Sequence, residues 1–380
     1  MNGRVQWLGV RAGFAVLTAI AGLLLAPQAA IASVGTTTAA TPPVNGPVYA
    51  IAQVGDLTVI GGEFTAVGGK PRQNAAAIRA DGTLDPNFKP DPDGPVRAVA
   101  GSEDAGVVFL GGTFGNAGGA ARANLAAVGT LDGAALPGWR ADTSGSAPDV
   151  RSLAVSGSSL YVGGRFAGID DTTRHQLAAV DTVTGDVVDG FRTRVRGGGV
   201  NEVVVSPDGS KVYAGGWFTS IGGEDRLNGA AEVWSATGDA TAFDPSQGGG
   251  VVTTVGLSPD GGRLYVATEN NSLFAYDLTS NDPAWTSKTS GDTQAIAVSA
   301  TDVYIGGHFS QIVVTKTKRR FLASLNPSDG SVTAWDPNPD GGVMGVWAIT
   351  MTPGALQVGG TFTTVGGVPR VRFARFPGTP

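Results

Sequence analysis

The chain has 380 residues, 59 of them glycine, and a formal net charge of −6 at pH 7. This acidic balance argues against nucleic acid as a partner, because nucleic-acid-binding domains normally present a basic face. The absence of cysteine excludes disulfides and thiolate metal sites. The chain has only two histidines, and zinc sites and histidine-based catalytic triads both need histidine side chains. We therefore expect no metal and no cofactor.

The first 32 residues have the pattern of a secretory signal peptide. Arg4 and Arg11 give a positive start, and the apolar run 12–26 is too short to span a bilayer comfortably. Ala30-Ile-Ala32 offers the small residues of a cleavage site. We therefore expect a secreted, extracellular protein without a transmembrane segment after cleavage; an uncleaved anchor is the alternative. Residues 33–47 have the composition of a linker.

A short motif, Gly-Gly-any-Phe, recurs along the chain. Its phenylalanines are Phe64, Phe114, Phe166, Phe218, Phe309 and Phe362. A second marker is a short run in the order apolar, variable, small, apolar. It begins at Val48, Val96, Val150, Val200, Val252, Thr293 and Val346. Self-similarity with a period of about 50 residues indicates repeated supersecondary units, and the two markers together define seven of them. The unit that begins at Val252 is shorter and has Tyr265-Val-Ala-Thr268 in place of the glycine pair.

Each unit is typical of four short strands. In the unit that begins at Val200, the pattern predicts strands at 200–205, 211–218 and 229–234, and a fourth that ends at Phe243-Asp-Pro245. No stretch has a sustained helical period. The predicted fold is all-β: a seven-bladed β-propeller of four-stranded antiparallel blades over residues 48–380. The last unit lacks its fourth strand, and segment 33–47 is expected to supply it near residues 38–44, close the ring and cover two strand edges. We expect a monomer.

The repeated frame resembles a known group of propellers. The elements Val-Gly-Gly-x-Phe, Gly-Gly-x-x-Arg, Leu-Ala-x-x-Asp and Trp-Asp-Pro are similar to the propeller repeats of secreted bacterial proteins of unknown function. The turns at 206–209 and 257–261 are also similar to those of WD-repeat propellers. The resemblance covers residues 48–376 and implies the fold, but it carries no catalytic residue to this chain.

The glycine pairs are predicted to be structural. Glycine inside a strand often marks a close approach of another part of the chain, and we expect the motif phenylalanine of one blade to lie over the bare backbone of a neighbour.

An arginine follows most motif phenylalanines by eight residues. These arginines are Arg72, Arg122, Arg174, Arg226 and Arg370, with Arg319 or Arg320 in the unit that begins at Thr293. An aspartate recurs at the end of the fourth strand, at Asp85, Asp244 and Asp336. Because both loops lie on one face of a blade, we expect an Arg–carboxylate or Arg–carbonyl clip that holds the loop. A cationic ring for an anionic polymer is the alternative.

Two positions vary within this fixed frame and are candidates for a ligand site. The second residue of each unit is expected to surround one mouth of the channel: Tyr49, Arg97, Arg151, Asn201, Thr253, Gln294 and Trp347. The third motif position carries Glu63, Thr113, Arg165, Trp217, His308 and Thr361. These side chains suit a polyhydroxyl or anionic ligand in a concave pocket; a water-filled channel without function is the alternative.

The sequence leaves three functions open. The preferred one is a secreted, non-catalytic binding or scaffold propeller whose channel mouth faces a glycan or an extracellular protein. The second is an extracellular polysaccharide hydrolase or lyase that uses carboxylates such as Glu63, Glu202 or Glu269, which would need two carboxyl groups about 5–10 Å apart. The third is a purely structural module of the cell surface.

Overall fold

The computed structural model describes residues 33–102, 106–226, 229–245, 250–352 and 354–379. The predicted signal peptide lies outside this part of the chain. The described residues form strands, turns and bridges and contain no helix, in agreement with the missing helical period. The fold class is all-β.

The longer strands of the described residues form antiparallel sheets that follow one another along the chain, each a meander of consecutive strands. We number the sheets 1 to 7 and letter their strands A, B and C in chain order. The bounds are Val48–Val54, Leu57–Gly62 and Ala75–Ile78 in sheet 1; Val96–Ser102, Val107–Gly112 and Leu125–Gly129 in sheet 2; Asp149–Ser156, Ser159–Arg165 and Leu177–Asp181 in sheet 3; Val200–Val205, Lys211–Gly216 and Ala230–Trp234 in sheet 4; Val252–Leu257, Arg263–Thr268 and Ser272–Asp277 in sheet 5; Thr293–Val298, Val303–Gly307 and Leu322–Leu325 in sheet 6; Val346–Thr352, Ala355–Gly360 and Phe373–Thr379 in sheet 7.

Two-residue strands form small hairpins in the loops between strands B and C. The pairs are Ala66–Val67 with Lys70–Pro71, Asn116–Ala117 with Ala120–Ala121, Gly168–Ile169 with Thr172–Thr173, Ser220–Ile221 with Glu224–Asp225, Gln311–Ile312 with Thr317–Lys318, and Thr364–Val365 with Val368–Pro369. Thr143–Ser144 and Pro339–Asp340, which precede sheets 3 and 7, pair with the hairpins of those sheets.

An outer segment follows strand C, and in sheet 5 it is a regular fourth strand, Pro283–Lys288. In sheet 1 the same segment makes a single bridge, between Ile78 and Leu84. Asp85 then turns the chain, because its carboxylate accepts two backbone N–H groups of the next turn, and Pro86 has no N–H to extend the ladder. Single bridges occupy this place in sheets 2, 3, 4 and 6 as well.

The beginning of the described chain lies along the outer edge of sheet 7. Strand Ser33–Val34 pairs antiparallel with the end of Phe373–Thr379, and the Ala39 N–H donates to the Arg375 carbonyl oxygen at 2.8 Å. The strand predicted near 38–44 is present there only as this single bridge, and the regular pairing lies earlier, at Ser33–Val34.

The first glycine of the motif pair is the point at which the next sheet approaches. A Cβ atom on Gly61 would lie 2.5 Å from Cγ1 of Val96, and a Cβ atom on Gly359 of sheet 7 would lie 2.6 Å from Cγ1 of Val48 in sheet 1. These valines begin strand A, so the two sequence markers are the two halves of one contact between sheets. The expected partner was wrong: a valine methyl group, not the motif phenylalanine, covers the glycine.

The core consists of hydrophobic clusters that lie between sheets. Ala77 of sheet 1 and Val99 of sheet 2, for example, belong to one cluster. Another contains Ile51 of sheet 1 together with Ala348 and Phe373 of sheet 7. Each sheet thus contributes its two faces to two different clusters, as the alternation of side chains along a strand allows.

Candidate functional site at the channel mouth

The mouth residues owe their orientation to a β-bulge at the second position of the repeated unit. In each sheet the register between strands A and B shifts by one residue at this point. In sheet 1, Val48 pairs with Gly62 and Ala50 with Gly61, so Tyr49 is the extra residue. A bulge bends the strand and re-aims the extra side chain.

The seven bulged residues meet in one pocket. Together with Glu202 they line a cavity of about 350 Å³: Tyr49, Arg97, Arg151, Asn201, Thr253, Gln294 and Trp347. This volume lies in the lower part of the range usual for small-ligand pockets, about 300–1,000 Å³. The cavity shares most of its lining with a channel of about 560 Å³, whose wall is formed by strand A of every sheet. The structure therefore brings together the first of the two sets of variable positions, the second residues of the units.

Side-chain contacts link the mouth residues from sheet to sheet. Trp347 packs edge-on against Tyr49, with ring centroids 5.7 Å apart, and the Arg97 guanidinium carbon lies 5.7 Å from the centroid of the Tyr49 ring. Asp149 then joins two arginines, Arg97 through Nε at 3.1 Å and Arg151 through Nε at 2.9 Å. These contacts connect sheets 7, 1, 2 and 3.

The same series continues through sheets 4, 5 and 6. Arg151 donates to Oδ1 of Asn201 at 2.9 Å, and Asn201 donates to the carbonyl oxygen of Val252 at 2.8 Å. The hydroxyl of Thr253 donates to the carbonyl oxygen of Thr293 at 2.6 Å. The side chains on this side of the mouth are therefore already committed to contacts within the protein.

The series of contacts around the mouth is interrupted between Gln294 of sheet 6 and Trp347 of sheet 7. Among the described residues, the amide of Gln294 makes no hydrogen bond, although it lines the pocket. Nε1 of Trp347 is buried and also lacks a hydrogen-bond partner in the described part of the chain. Buried donors without an acceptor are uncommon in folded proteins, so this arc of the mouth is where unsatisfied hydrogen-bonding capacity remains.

The charges at the mouth are largely paired with one another. Asp149 holds both arginines of the pocket, and Glu63 accepts a hydrogen bond from the Tyr49 hydroxyl at 3.2 Å. Burial, and secondarily the Glu63 carboxylate, raises the pKa of Tyr49, so its hydroxyl stays a donor at neutral pH. Asp149 was not predicted as a mouth residue, because its only signal in the sequence is its place directly before the first valine of strand A.

The third motif positions lie outside the pocket lining. Glu63 contacts Tyr49, and Trp217 lies under the Arg151 guanidinium, whose carbon is 4.6 Å from the Trp217 ring centroid. Arg165 instead donates to a backbone carbonyl oxygen at 3.0 Å. The remaining members make no side-chain hydrogen bond or ion pair with a pocket residue among those described: Thr113, His308 and Thr361. These side chains form an outer rim rather than the pocket itself.

Among the ionisable groups that line the channel, Glu202 has the pKa that departs furthest from its ordinary value. Its Oε1 accepts a hydrogen bond from the Ser152 hydroxyl at 2.7 Å, and burial in the channel raises its pKa to about 7. Of the other carboxylates named from the sequence, Glu63 lies on the rim and Glu269 is exposed outside the pocket lining. The three do not line the pocket together.

The repeat arginines mainly hold backbone carbonyl groups. Arg72 is buried, and its guanidinium donates to the carbonyl oxygens of Pro71 and Asp85, each at 2.7 Å. The Asp85 carboxylate instead pairs with Arg79 at 2.8 Å. Five of the described repeat arginines bind two carbonyl oxygens in this way: Arg72, Arg122, Arg226, Arg319 and Arg370.

Carboxylates take part in some of these clips. Arg174 contacts Asp189 at 3.2 Å, and Arg319 contacts Asp336 at 3.3 Å. The Arg226–Asp244 separation is longer, 3.7 Å. The six repeat arginines are buried or half-buried and are held by hydrogen bonds within the protein. They therefore do not form the exposed ring of positive charge that an anionic polymer would need.

The described residues contain neither a cluster of metal-binding side chains nor a membrane-spanning helix. No three side chains of His, Asp or Glu come close enough together to hold a metal ion among the residues described. This part of the chain also has no helix of the length and apolarity needed to cross a membrane.

The fold is a β-propeller, and solved structures share it over most of the chain. The WD40 β-propeller domain of Doa1 is 11% identical with a TM-score of 0.59, covering 90% of this chain and 96% of that chain. The structure of U3-55K is 10% identical with a TM-score of 0.60, covering 90% and 99%. The computationally designed Ika8 protein is 11% identical with a TM-score of 0.56, covering 91% and 100%. At such identities the likeness shows the fold alone.

A sequence family also matches part of the chain. Residues 58–88 match the family described as "Domain of unknown function (DUF5122) beta-propeller". This segment contains Gly61, Phe64, Arg72 and Asp85, which is one copy of the repeated frame. The predicted resemblance to a propeller family of unknown function is thereby confirmed. No curated protein matches the sequence.

Proposed function

We propose that the protein is a non-catalytic binding propeller that takes a neutral, hydroxyl-rich ligand, such as a short stretch of glycan, at the channel mouth. The observation that carries this proposal is the open arc of the pocket. Gln294 has an unbonded amide there, and the Trp347 and Tyr49 rings adjoin it. An aromatic ring can cover the apolar face of a sugar, and a free amide can form hydrogen bonds with its hydroxyl groups.

The charge distribution favours a neutral ligand over an anionic one. Arg97 and Arg151 share Asp149, and the rim carboxylate of Glu63 adds a second negative charge. In the pocket, the two arginines face Asp149 and the partly protonated Glu202, and on the rim the negative Glu63 is matched by the positive Arg165. These charges nearly balance and leave little net field at the mouth, and a strong field is what would attract a charged polymer.

The proposed receptor is a closed ring of seven blades, with the segment that begins at Ser33 as the outer strand of the last blade. Contacts between sheets 7 and 1 support this closure. Val48 fills the space above Gly359, and the Thr350 hydroxyl donates to the Ile51 carbonyl oxygen at 2.8 Å. A closed ring would hold the bulged residues at fixed positions, so the pocket would be formed before the ligand arrives.

Binding to a panel of neutral and acidic glycans tests the proposal. Replacing Trp347 with alanine should weaken binding of a neutral glycan by about 2 kcal/mol or more, as for a central aromatic contact. Gln294→Ala should cost about 0.5–1.5 kcal/mol, the value of one neutral hydrogen bond. Trp234→Ala is the matched control, because Trp234 is 46% exposed and is not a pocket residue.

A parent protein that binds no glycan, or that binds equally well after both mouth substitutions, would refute the proposal. The purely structural role at the cell surface would then be the better explanation.

A polysaccharide hydrolase is the second candidate, because Glu202 has the raised pKa that a general acid needs near neutral pH. The parent protein should then cleave a polysaccharide, and Glu202→Gln should abolish turnover while glycan binding persists. Lack of turnover across a broad substrate screen would exclude this candidate.

We also propose that the protein is secreted, on the basis of the sequence of residues 1–32. Protein recovered from culture medium should begin at Ser33, which N-terminal sequencing can check.

A further inference from the structure

The loop between strands B and C of sheet 6 differs from its counterparts. In the other small hairpins two residues connect the paired strands: Gly68-Gly69, Gly118-Gly119, Asp170-Asp171, Gly222-Gly223 and Gly366-Gly367. In sheet 6, Gln311–Ile312 and Thr317–Lys318 are joined by four residues, Val313 to Lys316. All four are exposed. We call residues 311–318 the docking hairpin.

The tip of this hairpin is apolar. Val313 is 41% exposed and Val314 is 65% exposed. Among the described residues on this face, which also carries the channel mouth, the exposed large apolar side chains all belong to sheets 6 and 7 or to the loop that joins them: Val313, Val314, Val343, Met344 and Val368. Exposed apolar side chains that are concentrated in one sector indicate an interaction surface more strongly than single ones do.

Positive charge surrounds the apolar tip, although the chain as a whole is acidic. Three of the six lysines of the protein are here: Lys316 and Lys318 in the hairpin, and Lys288 beside it. The backbone of Lys288 accepts a hydrogen bond from the Val313 N–H at 2.7 Å. Arg320 follows the hairpin and pairs with Asp340 at 3.0 Å. The three lysines are all exposed, and none of them forms an ion pair in the described part of the chain.

We propose that the docking hairpin attaches the protein to an anionic phospholipid surface. The two valines would enter the boundary between headgroups and acyl chains, and the lysines would contact the anionic headgroups. Both contributions are needed, because a small apolar tip or a few basic residues alone give only weak attachment. A projecting tip of two aliphatic side chains flanked by lysines fits a fluid bilayer better than it fits a folded partner, whose binding normally requires a larger, complementary area.

This attachment is separate from the glycan proposal but has a consequence for it. The hairpin and the channel mouth are on the same face of the propeller, so a docked molecule would present the mouth towards the membrane surface.

Sedimentation with lipid vesicles tests the proposal. The parent protein, residues 33–380, should bind vesicles of phosphatidylcholine mixed with phosphatidylglycerol, bind phosphatidylcholine vesicles much more weakly, and lose binding as salt increases. Val314→Asp should lower the partition coefficient by about tenfold or more. The double variant Lys316→Glu and Lys318→Glu should lower it by at least about 25-fold, since each lysine contributes about fivefold near an anionic surface.

Two controls match these changes. Val183→Asp places the same charge at a valine that is 74% exposed in a turn on the opposite face. Lys89→Glu with Arg192→Glu changes the net charge by the same amount at exposed residues away from the hairpin. Both controls should bind vesicles within about twofold of the parent, because neither touches the contact surface.

Three results would overturn the proposal. These are a parent protein that does not sediment with mixed vesicles, hairpin variants that bind as well as their controls, and a hairpin that is required for binding a protein partner while no vesicle binding occurs. All variants change exposed side chains, so equal melting midpoints would show that a loss of binding is not a loss of fold.

Discussion

The contact between Gly359 and Val48 gives a direct test of whether sheets 7 and 1 are packed together. A Cβ atom on Gly359 would lie 2.6 Å from Cγ1 of Val48, 3.1 Å from its Cβ and 3.2 Å from Cδ1 of Ile51. Overpacking of this kind costs about 1–3 kcal/mol. The loss of glycine entropy in the unfolded chain offsets about 0.4–1 kcal/mol. Gly359→Ala should therefore destabilise the protein by about 1–2 kcal/mol, measured as a lower urea midpoint.

A double-mutant cycle identifies the contact itself. Val48→Ala removes the methyl groups that the new side chain would meet, so the double variant should be more stable than the two separate losses predict, by about 1 kcal/mol. Gly129→Ala is the control, because its added Cβ would meet nothing closer than 3.6 Å. The packing of sheet 7 on sheet 1 would be refuted if Gly359→Ala left the free energy of unfolding unchanged. It would also be refuted if the losses caused by Gly359→Ala and Val48→Ala simply added in the double variant.

Two further predictions concern the channel and the loops. In the folded protein the pKa of Glu202 is raised to about 7, so the free energy of unfolding should fall as pH rises from about 4.5 to 7. Glu202→Gln cannot ionise, and it should therefore be more stable than the parent by up to about 3 kcal/mol at pH 8 but not at pH 4. Equal pH dependence of urea unfolding in parent and variant would contradict this. Arg72→Lys should lower stability by about 1–3 kcal/mol, since an ammonium group cannot reach both carbonyl oxygens in the geometry of the guanidinium fork. In thermal unfolding, the exposed Arg79→Lys should change the midpoint far less, and equal shifts for the two variants would argue against the carbonyl clip.

The repeat period could be read from the sequence because the packing contact itself is repeated. Gly61 and Val96 are both conspicuous in the chain, and each recurs with the same spacing. What the sequence could not supply is which atoms meet, because the partner of Gly61 lies in the next repeat rather than in its own. The expectation that a motif phenylalanine would cover the glycine placed the contact between neighbouring repeats, but it named the wrong side chain, since Val96 fills the space beside Gly61.

The outer segment shows why a strand pattern alone can mislead. Leu84-Asp-Pro86 has the spacing of a strand end, yet in the structure only Leu84 bridges to strand C. The Asp85 carboxylate competes for backbone N–H groups, and proline offers none. Such competition depends on local hydrogen bonds that hydrophobic periodicity does not register.

The mouth positions could be predicted because they vary from repeat to repeat within a constant pattern. A residue that varies at one place in a fixed frame is free of the packing constraint, and here that place is a β-bulge. Asp149 was missed because it stands two residues before the bulged Arg151, at a place where the other repeats have residues of several kinds. Its role becomes visible only when Arg97 and Arg151 are brought to it from two sheets.

Several departures from repeat symmetry fall in sheets 5 and 6. Ala267 and Thr268 replace the glycine pair in sheet 5, and Thr293 replaces the first valine in sheet 6. Gln294 lies at the one break in the series of mouth contacts, and the lengthened hairpin with Val314 at its tip lies in the same sheet. Packing explains the features that recur in every sheet, but it gives no reason for several exceptions to gather in one sector. A ligand and a surface that both act on this sector would give such a reason, which is why both proposals place their decisive substitutions there.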